Sequence, residues 1–424
     1  MVETFSGIGA QAKALENIKI KHGYEYIILN TVEWDINAII AYDLIHNEYI
    51  DNYENVDNKT YEELLYEITK YSFSFDGKTE VIQNKIEKLD IEVLKRLYVA
   101  IKRTNNLVNI KDVKGKELSE DMNILTYSFP CQDLSVAGFW HGNKGGIDRN
   151  ANNRSSILWE VERILQERKK SNKKMPKFLL MENVRNITSK MHRKNFEDWQ
   201  KSLEKLGYKN KLLSLNAQNF GIPQKRERVF MISYLVKFGD AELNVNLLND
   251  IEEYFKKNNL EIHNSAVKPH IKDFIKLEYE NPKYKAEADF SQPNNTPSRI
   301  KIRDNNVLIY ENDVFKVDII PTITTKQDRH PNSGIIQYKE KEGKCGFRYL
   351  SPRECFLLMG FSESDYDRII DNNFCVRRNR PFFNGNKLIK MAGNSIVVNV
   401  LEEIFIQINN INDKIYIERY GIED

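Results

Sequence analysis

Cysteine is scarce in this chain of 424 residues, which has four thiols, at Cys131, Cys345, Cys355 and Cys375. None forms a Cys-x-x-Cys pair. Neither a disulfide framework nor a zinc site is expected, and a cytoplasmic setting is the default. Long uncharged apolar runs are missing too, and no signal-peptide pattern opens the chain, so membrane and export readings fall away. Charge of one sign is not in excess: 63 Lys and Arg face 61 Asp and Glu, leaving +2. Overall composition therefore does not announce a polyanionic partner. What remains, with 29% charged and 41% hydrophobic residues, is a globular chain long enough for two or three domains.

The distribution of charge says more than its sum. From Arg163 to Lys194 eleven basic residues face only Glu167 and Glu182. Such a run is either a solvated surface or an edge that faces phosphates.

Ile124-Leu125-Thr126-Tyr127 reads as a buried strand of a parallel sheet. It runs into Ser128-Phe129-Pro130-Cys131-Gln132, which puts Cys131 just past a strand's carboxyl end, where open α/β sheets place their ligands. Pro130 fixes its own φ and restricts Phe129, so the backbone aims the thiol. A lone free cysteine is most often a small buried hydrophobe. One set in positive surroundings is a nucleophile.

At the amino end, Val2-Glu3-Thr4-Phe5-Ser6-Gly7-Ile8-Gly9-Ala10 precedes an amphipathic helix. Apolar residues, Gly-x-Gly and a helix form the opening unit of a nucleotide-binding domain, suited to a dinucleotide or to S-adenosylmethionine. Ile27 to Trp34 reads as the second strand. It ends in Glu33, placed for ribose hydroxyls, and Trp34, placed to stack on adenine; singly they are an ordinary surface acid and a core tryptophan. Residues 50–105 form a mostly helical insert without evident chemistry. Val108 to Val113 resumes the sheet, with Asp112 placed to meet an adenine amino group.

Beyond Cys131, a Gly/Asn/Arg-rich loop from Gly138 to Arg154 has a mobile composition. Ser155 or Ser156 is expected to cap a helix carrying Leu158. Pro176 to Met181 is the next buried strand, and it ends in Glu182 at the same sheet edge as Cys131. After the turn at Phe220-Gly221-Ile222-Pro223, alternation sets Gln224, Arg226 and Arg228 on one face of a strand. Such a face supplies positive charge beside a thiol, or is merely a solvated edge. Residues 235–345 are polar, Asn/Lys-rich and irregular, and read as a second domain. Within it, Pro321 to His330 is dense in hydrogen-bonding side chains. Ser351-Pro352-Arg353-Glu354 is a capping box, and Gly393-Asn394-Ser395 precedes a final helix.

Taken in order, Phe-x-Gly-x-Gly, Pro-Cys-Gln, Glu-Asn-Val, Gln-x-Arg-x-Arg, Ser-Pro-Arg-Glu-Cys and Gly-Asn-Ser resemble the bacterial and phage DNA cytosine-5 methyltransferases of restriction–modification type. The resemblance covers the chain except the insert and most of the polar domain. It implies an α/β fold: a Rossmann-like S-adenosylmethionine-dependent catalytic domain over residues 1–234, a smaller, irregular target-recognition domain with its hinge over 235–385, and a segment, 386–424, that returns to the catalytic domain. It implies S-adenosylmethionine as donor, S-adenosylhomocysteine as product and no metal. It further implies double-stranded DNA as substrate, a paired restriction endonuclease without a stable complex, and a monomer.

By motif, Cys131 is similar to the nucleophile that attacks carbon 6 of cytosine. Glu182 matches the acid at ring nitrogen 3, and Arg228, supported by Arg226, the donor to O2. Phe5, Gly7, Gly9, Glu33, Trp34, Asp112, Leu158 and Asn394 match cofactor positions. Gln132, Ser135, Thr322, Lys326, Gln327 and Arg329 are assigned to DNA. In one departure, only Met1 to Thr4 precede Phe5, so the first strand is expected to be frayed or the chain to lack residues before it. Two rivals remain: a tRNA cytosine-5 methyltransferase using the same motifs, and a non-catalytic DNA-binding protein on this scaffold. The large polar domain argues against the first, and the joint presence of Cys131, Glu182 and Arg228 against the second.

Overall fold

The computed structural model describes residues 1–424 except 49, 51, 131–133, 135–145, 150–154, 239–241, 267, 330–331, 377–378 and 423–424. The chain runs through β1 (Val2–Thr4), α1 (Ala10–His22), β2 (Asn30–Val32), α2 (Ile36–His46), α3 (Tyr61–Ile68), α4 (Ile91–Arg103) and β3 (Ile124–Tyr127). It continues through α5 (Leu158–Lys170), β4 (Phe178–Val184), α6 (Arg193–Lys205), β5 (Tyr208–Asn216) and β6 (Glu227–Leu235). Six strands form one sheet in the order β2-β1-β3-β4-β6-β5. The first four are parallel, and β6 is antiparallel to both of its neighbours.

Alternation along β4 explains the layering. Phe178 and Leu180 enter one apolar layer, with α1, α2 and α4; Leu179 and Met181 enter the other, with Leu158, Val161 and Leu165 of α5 and Phe196 and Trp199 of α6. A sheet buried on both faces reads as continuous apolar runs, which β3 and β4 show.

Register positions the site. Thr4 pairs with Val32 and with Tyr127, and Tyr127 pairs with Met181. One row further on stand Phe5, Glu33, Ser128 and Glu182. The chain reverses direction across the sheet at β1, so this row opens into the crevice where such folds bind ligands. Although short, β1 is paired on both sides, and the Met1 nitrogen donates to the Ile27 carbonyl at 2.7 Å. It is not frayed.

Several elements differ from expectation. The second strand is only Asn30–Val32, because the chain turns away before it and leaves Ile27 exposed. Residues 108–113 form turns rather than strand: Val108 has φ 61°, and Asn109 Oδ1 accepts from the Lys111 nitrogen at 3.1 Å. Neither Ser155 nor Ser156 stands at the N-cap of α5: the Ser155 hydroxyl donates to the Pro130 carbonyl at 2.8 Å, and Ile157 holds the N-cap without a capping side chain. Strand β6 begins at Glu227, and a separate two-residue strand, Gln224–Lys225, pairs instead with Ile320–Pro321. The insert is not peripheral: Leu94, Leu97 and Ile101 of α4 are buried in the main core.

The remaining chain has α7 (Val245–Lys257), whose Leu247, Ile251 and Phe255 join the main core, and a small four-stranded sheet between Leu308 and Arg348. It ends in α8 (Pro352–Leu357), α9 (Gly385–Asn394) and α10 (Val398–Ile411). The Ser351–Glu354 capping box is present. Gly393 and Asn394 close α9 rather than cap α10. Among the described residues one stretch, Gly385–Ile417, is long and apolar enough to cross a membrane, but it is mostly buried inside the protein, as in a core helix.

Candidate functional site

A cleft of about 820 Å³ opens on the row beyond the strand ends. Phe5, Gly7, Glu33, Trp34, Asn394, Glu182, Arg226 and Arg228 all line it, so sites assigned to cofactor and to chemistry share one cavity. Pro130, which precedes Cys131, lines it as well. Cys131, Gln132 and Ser135 themselves lie outside the described residues.

The glycine turn is built for close approach. Phe5 has φ 55°, a strained value for an aromatic residue, and its carbonyl accepts from the Ser128 hydroxyl at 3.3 Å. Gly7 has φ 54°, with nothing within 4 Å of where a Cβ would stand. Gly9 serves the fold instead: a Cβ there would lie 2.1 Å from His46 Nε2 of α2. That imidazole is hydrogen-bonded to the Ile8 carbonyl at 3.0 Å, and burial lowers its pKa to about 4.

Glu33 is oriented by three backbone N–H groups. Gly7 donates to Oε2 at 2.9 Å, and Trp34 and Asp35 donate to Oε1 at 2.9 and 2.8 Å. Burial pushes its pKa up to about 7 against these bonds. A fixed carboxylate facing a cavity suits hydroxyl groups of a ribose.

Glu182 and Arg228 form the polar floor. Val184 pairs with Arg228 across β4 and β6, which sets Arg228 diagonally beside Glu182 on the same face. The Arg228 Nε stands 3.3 Å from Glu182 Oε1, both side chains being largely buried. Burial raises the Glu182 pKa, and the Arg228 and Arg226 charges oppose the rise. Here a carboxyl can hold a proton, and a guanidinium lies within reach of the same ligand.

Gln224 and Arg226 act as stitches. Gln224 Nε2 donates to the Leu358 carbonyl at 2.9 Å, and its Oε1 accepts from the Ile323 nitrogen at 2.8 Å. Arg226 donates to the carbonyls of Ile323, Gly393 and Ser395 at 2.9, 3.1 and 2.7 Å. A Cβ on Gly393 would lie 2.6 Å from the Thr324 backbone, so only glycine allows this approach.

Some sequence expectations fall elsewhere. Asp112 is exposed and does not line the cleft; Asn109, Ile110 and Lys111 do. Leu158 is fully buried in the core, while Ser156, Ile157 and Trp159 reach the cleft in its stead. Thr322 donates to the Lys225 carbonyl at 2.6 Å. Gln327 is buried, and its Oε1 accepts from the Ser333 nitrogen, so it shapes its loop rather than offering its amide outward. Lys326 and Arg329 are exposed. The basic run is partly internal: fully buried Arg168 donates to the carbonyls of Gly115, Leu118, Ser119 and Lys174. Arg185 and Arg193 remain exposed. Asp76, Gly77, Lys78 and Lys390 line the cleft without having been singled out. Lys390 stands three residues before Gly393, and nothing in the insert's composition marked its turn.

This sheet, its switch-point crevice and a cleft holding a glycine turn, a fixed carboxylate and an aromatic are those of a Rossmann-like α/β domain, consistent with an S-adenosylmethionine-dependent methyltransferase. A family model, "C-5 cytosine-specific DNA methylase", matches residues 66–410. The type II methyltransferase M2.ScrFI of Lactococcus lactis subsp. cremoris is 32% identical over 95% of this chain and 97% of its own length. The orphan methyltransferase M.SssI of Spiroplasma monobiae is 33% identical over 95% of each. Among solved structures, S. pombe Dnmt2 methyltransferase shares the fold, with a TM-score of 0.56 at 16% identity over 97% of this chain and 98% of that one. The chain belongs to the C-5 cytosine-specific DNA methylase family. It is an enzyme of that family, whose members act on DNA and take the methyl group from S-adenosylmethionine.

Proposed function

We propose that this enzyme methylates carbon 5 of one cytosine within a short, specific site in duplex DNA, through a covalent adduct on Cys131. The observation that carries the reading is the Glu182–Arg228 pair, 3.3 Å apart, on the floor of the cleft that also holds Glu33 and the glycine turn.

S-adenosylmethionine supplies an electrophilic methyl group on its sulfonium. Phe5, Gly7, Glu33, Trp34 and Asn394 are the residues to hold it, and the cleft fits: the space beyond Gly7 is open, and the Glu33 carboxylate is held by its three N–H donors. Carbon 5 of cytosine is a weak nucleophile. Addition of the Cys131 thiolate at carbon 6 turns the ring into an enamine whose carbon 5 can take the methyl group. As negative charge reaches ring nitrogen 3 and O2, Glu182 delivers a proton to the first and Arg228 donates to the second. Loss of the carbon 5 proton then lets the thiolate leave.

The backbone just before Cys131 is anchored. The Phe129 carbonyl accepts from Asn183 Nδ2 at 3.1 Å, and the Pro130 carbonyl from Ser155. Burial raises the pKa of Cys345 and Cys355, which disfavours the reactive thiolate at both. The target carbon is stacked inside a duplex, so the base must leave the helix, at a cost of a few kcal/mol.

We assign residues 1–234 to catalysis, 235–385 to target recognition and hinge, and 386–424 to the return. Recognition falls to the exposed Lys326 and Arg329 and to Thr322. Protection of DNA from a partner restriction endonuclease, by a monomer that forms no stable complex with it, is the biological reading.

Purified protein with methyl-labelled cofactor tests the reaction. Label should enter duplex DNA and not tRNA. DNA carrying 5-fluorocytosine should become covalently attached, because fluorine cannot leave as a proton. Label in tRNA alone would overturn the substrate, and absence of attachment would overturn the adduct.

A further inference from the structure

Among the described residues, the insert (50–105) reaches the cleft at the turn Ser74–Thr79. Asp76, Gly77 and Lys78 line the cavity beside Trp34, Asp35 and Ala38. This turn is fastened in three ways. Its backbone is zipped to the residues after Glu33: the Ser74 nitrogen donates to the Trp34 carbonyl at 2.8 Å, and the Ile36 nitrogen donates to the Ser74 carbonyl at 3.0 Å. Internally, Ser74 is fully buried and donates to the Thr79 carbonyl at 2.7 Å. Asp76 Oδ1 accepts from the nitrogens of Lys78 and Thr79 at 2.9 and 3.0 Å, and Gly77 adopts φ 67°. Across the cleft, Lys390 of α9 donates to the Asp76 carbonyl at 2.8 Å and pairs with Asp35 Oδ2 at 3.3 Å. Asn37 Nδ2 adds a bond to the Phe75 carbonyl at 3.1 Å.

Three segments far apart in sequence thus make one wall. Its mechanical link to the ligand is short. The nitrogens of Trp34 and Asp35 hold Glu33 Oε1, and the same two residues carry the turn and the Lys390 clasp. The clasp, the 34–36 backbone and the Glu33 carboxylate are thus joined by an unbroken chain of bonds.

We propose that the Ser74–Thr79 turn of the insert and Lys390 are positioning elements of the cofactor site, setting how tightly the adenosyl cofactor is held through the orientation of Glu33. This rests on the cofactor reading of the cleft given above. The turn lines the cavity beside Trp34, Asp35 and Ala38 and, among the described residues, its bonds run to Trp34, Ile36, Asn37 and Lys390, with none to Glu182 or Arg228, so its effect belongs to cofactor binding rather than to the chemical step.

The test uses the full chain with Lys390→Met, Lys390→Arg, Gly77→Ala and, as a control on the site itself, Glu33→Gln. Binding of S-adenosylhomocysteine is measured by calorimetry, and KM and kcat with the cofactor varied at saturating duplex DNA. Lys390→Met and Gly77→Ala should each weaken S-adenosylhomocysteine and raise the cofactor KM about tenfold, with kcat within about twofold. Lys390→Arg, which keeps the clasp, should restore most of the affinity. Gly77→Ala guards against simple misfolding, since its Cβ meets little beyond Asp35 Oδ2, at 3.5 Å, and acts through backbone strain in an external turn. Wild-type affinity in both variants, with binding lost in Glu33→Gln, would overturn the inference and leave the cofactor site standing. Wild-type affinity in Glu33→Gln as well would overturn the site itself. A fall in kcat at unchanged KM would also overturn the inference.

Discussion

At the scale of single residues, Glu182 carries the most specific step of the proposed reaction. Burial favours its protonated form, and Arg228 limits how far. Glu182→Gln keeps the size and puts an amide N–H donor in place of the carboxyl O–H, but cannot deliver a proton. We expect kcat to fall about 10²- to 10³-fold, with S-adenosylhomocysteine binding unchanged, as general-acid losses do. Unchanged kcat in a rapid-quench assay would remove Glu182 from the mechanism.

His46 gives a second prediction. Its pKa falls from the ordinary histidine value to about 4, so the unfolded chain takes up its proton at higher pH than the folded one. The stability it contributes is fully present above the free-histidine pKa of about 6.5 and is lost as pH drops from there towards 4, at about 1.4 kcal/mol per pH unit. Tyr42 and the Ile8 carbonyl face the ring directly, with the charges of Lys13, Glu16 and Asp365 nearby. His46→Gln should flatten the dependence of Tm on pH over that interval; an unchanged slope would assign the acid sensitivity to other groups. Gln327 gives a third prediction. Its neighbours Lys326 and Arg329 are exposed, but its own amide bonds are internal, so Gln327→Ala should cost about 1–2 kcal/mol of stability whatever the DNA sequence.

At the scale of elements, the segment Gln224–Arg226 gathers three loops onto the sheet edge: 320–325, 358–359 and 393–395. Arg226→Lys keeps the charge but cannot span three carbonyls with one planar fork. We expect a loss of about 2–3 kcal/mol in urea unfolding, with a smaller effect on cofactor affinity than on kcat, because Arg228 is the next residue but one. Stability equal to wild type would contradict the stitching role.

What the sequence disclosed also sorts by element. The strands β3 and β4 and the residues at their ends were legible because a sheet buried on both faces writes itself as unbroken apolar runs, and the row beyond them collects Phe5, Glu33 and Glu182 by register alone. The 108–113 turn was misread because Val-Asn-Ile alternates like a strand, whereas the Asn109 side chain bonds its own backbone and bends the chain. Leu158 was placed in the cleft by motif, yet helical periodicity directs it to the core and leaves Ser156, Ile157 and Trp159 outside. The Ser74–Thr79 wall left no trace of its purpose, because its contacts to Trp34, Ile36 and Lys390 are long-range and mostly backbone.

At the scale of the whole molecule, the returning segment ties the ends of the chain together. Asn17 of α1 bonds Glu402 of α10, the Tyr416 hydroxyl donates to the Leu235 carbonyl, and Lys390 reaches the insert. The cleft is therefore closed by residues from both ends of the sequence, and removal of residues 386–424 should abolish cofactor binding together with the cooperative fold. A truncated protein that still binds S-adenosylhomocysteine at wild-type affinity would contradict this.

The most direct measurement of the central claim is bisulfite sequencing of DNA from a methylation-free host expressing the full chain, beside the same host expressing Cys131→Ser. The account predicts protected cytosines confined to one short sequence context in the first, and none in the second. An absence of protection in the first, or protection that persists in the second, would contradict it.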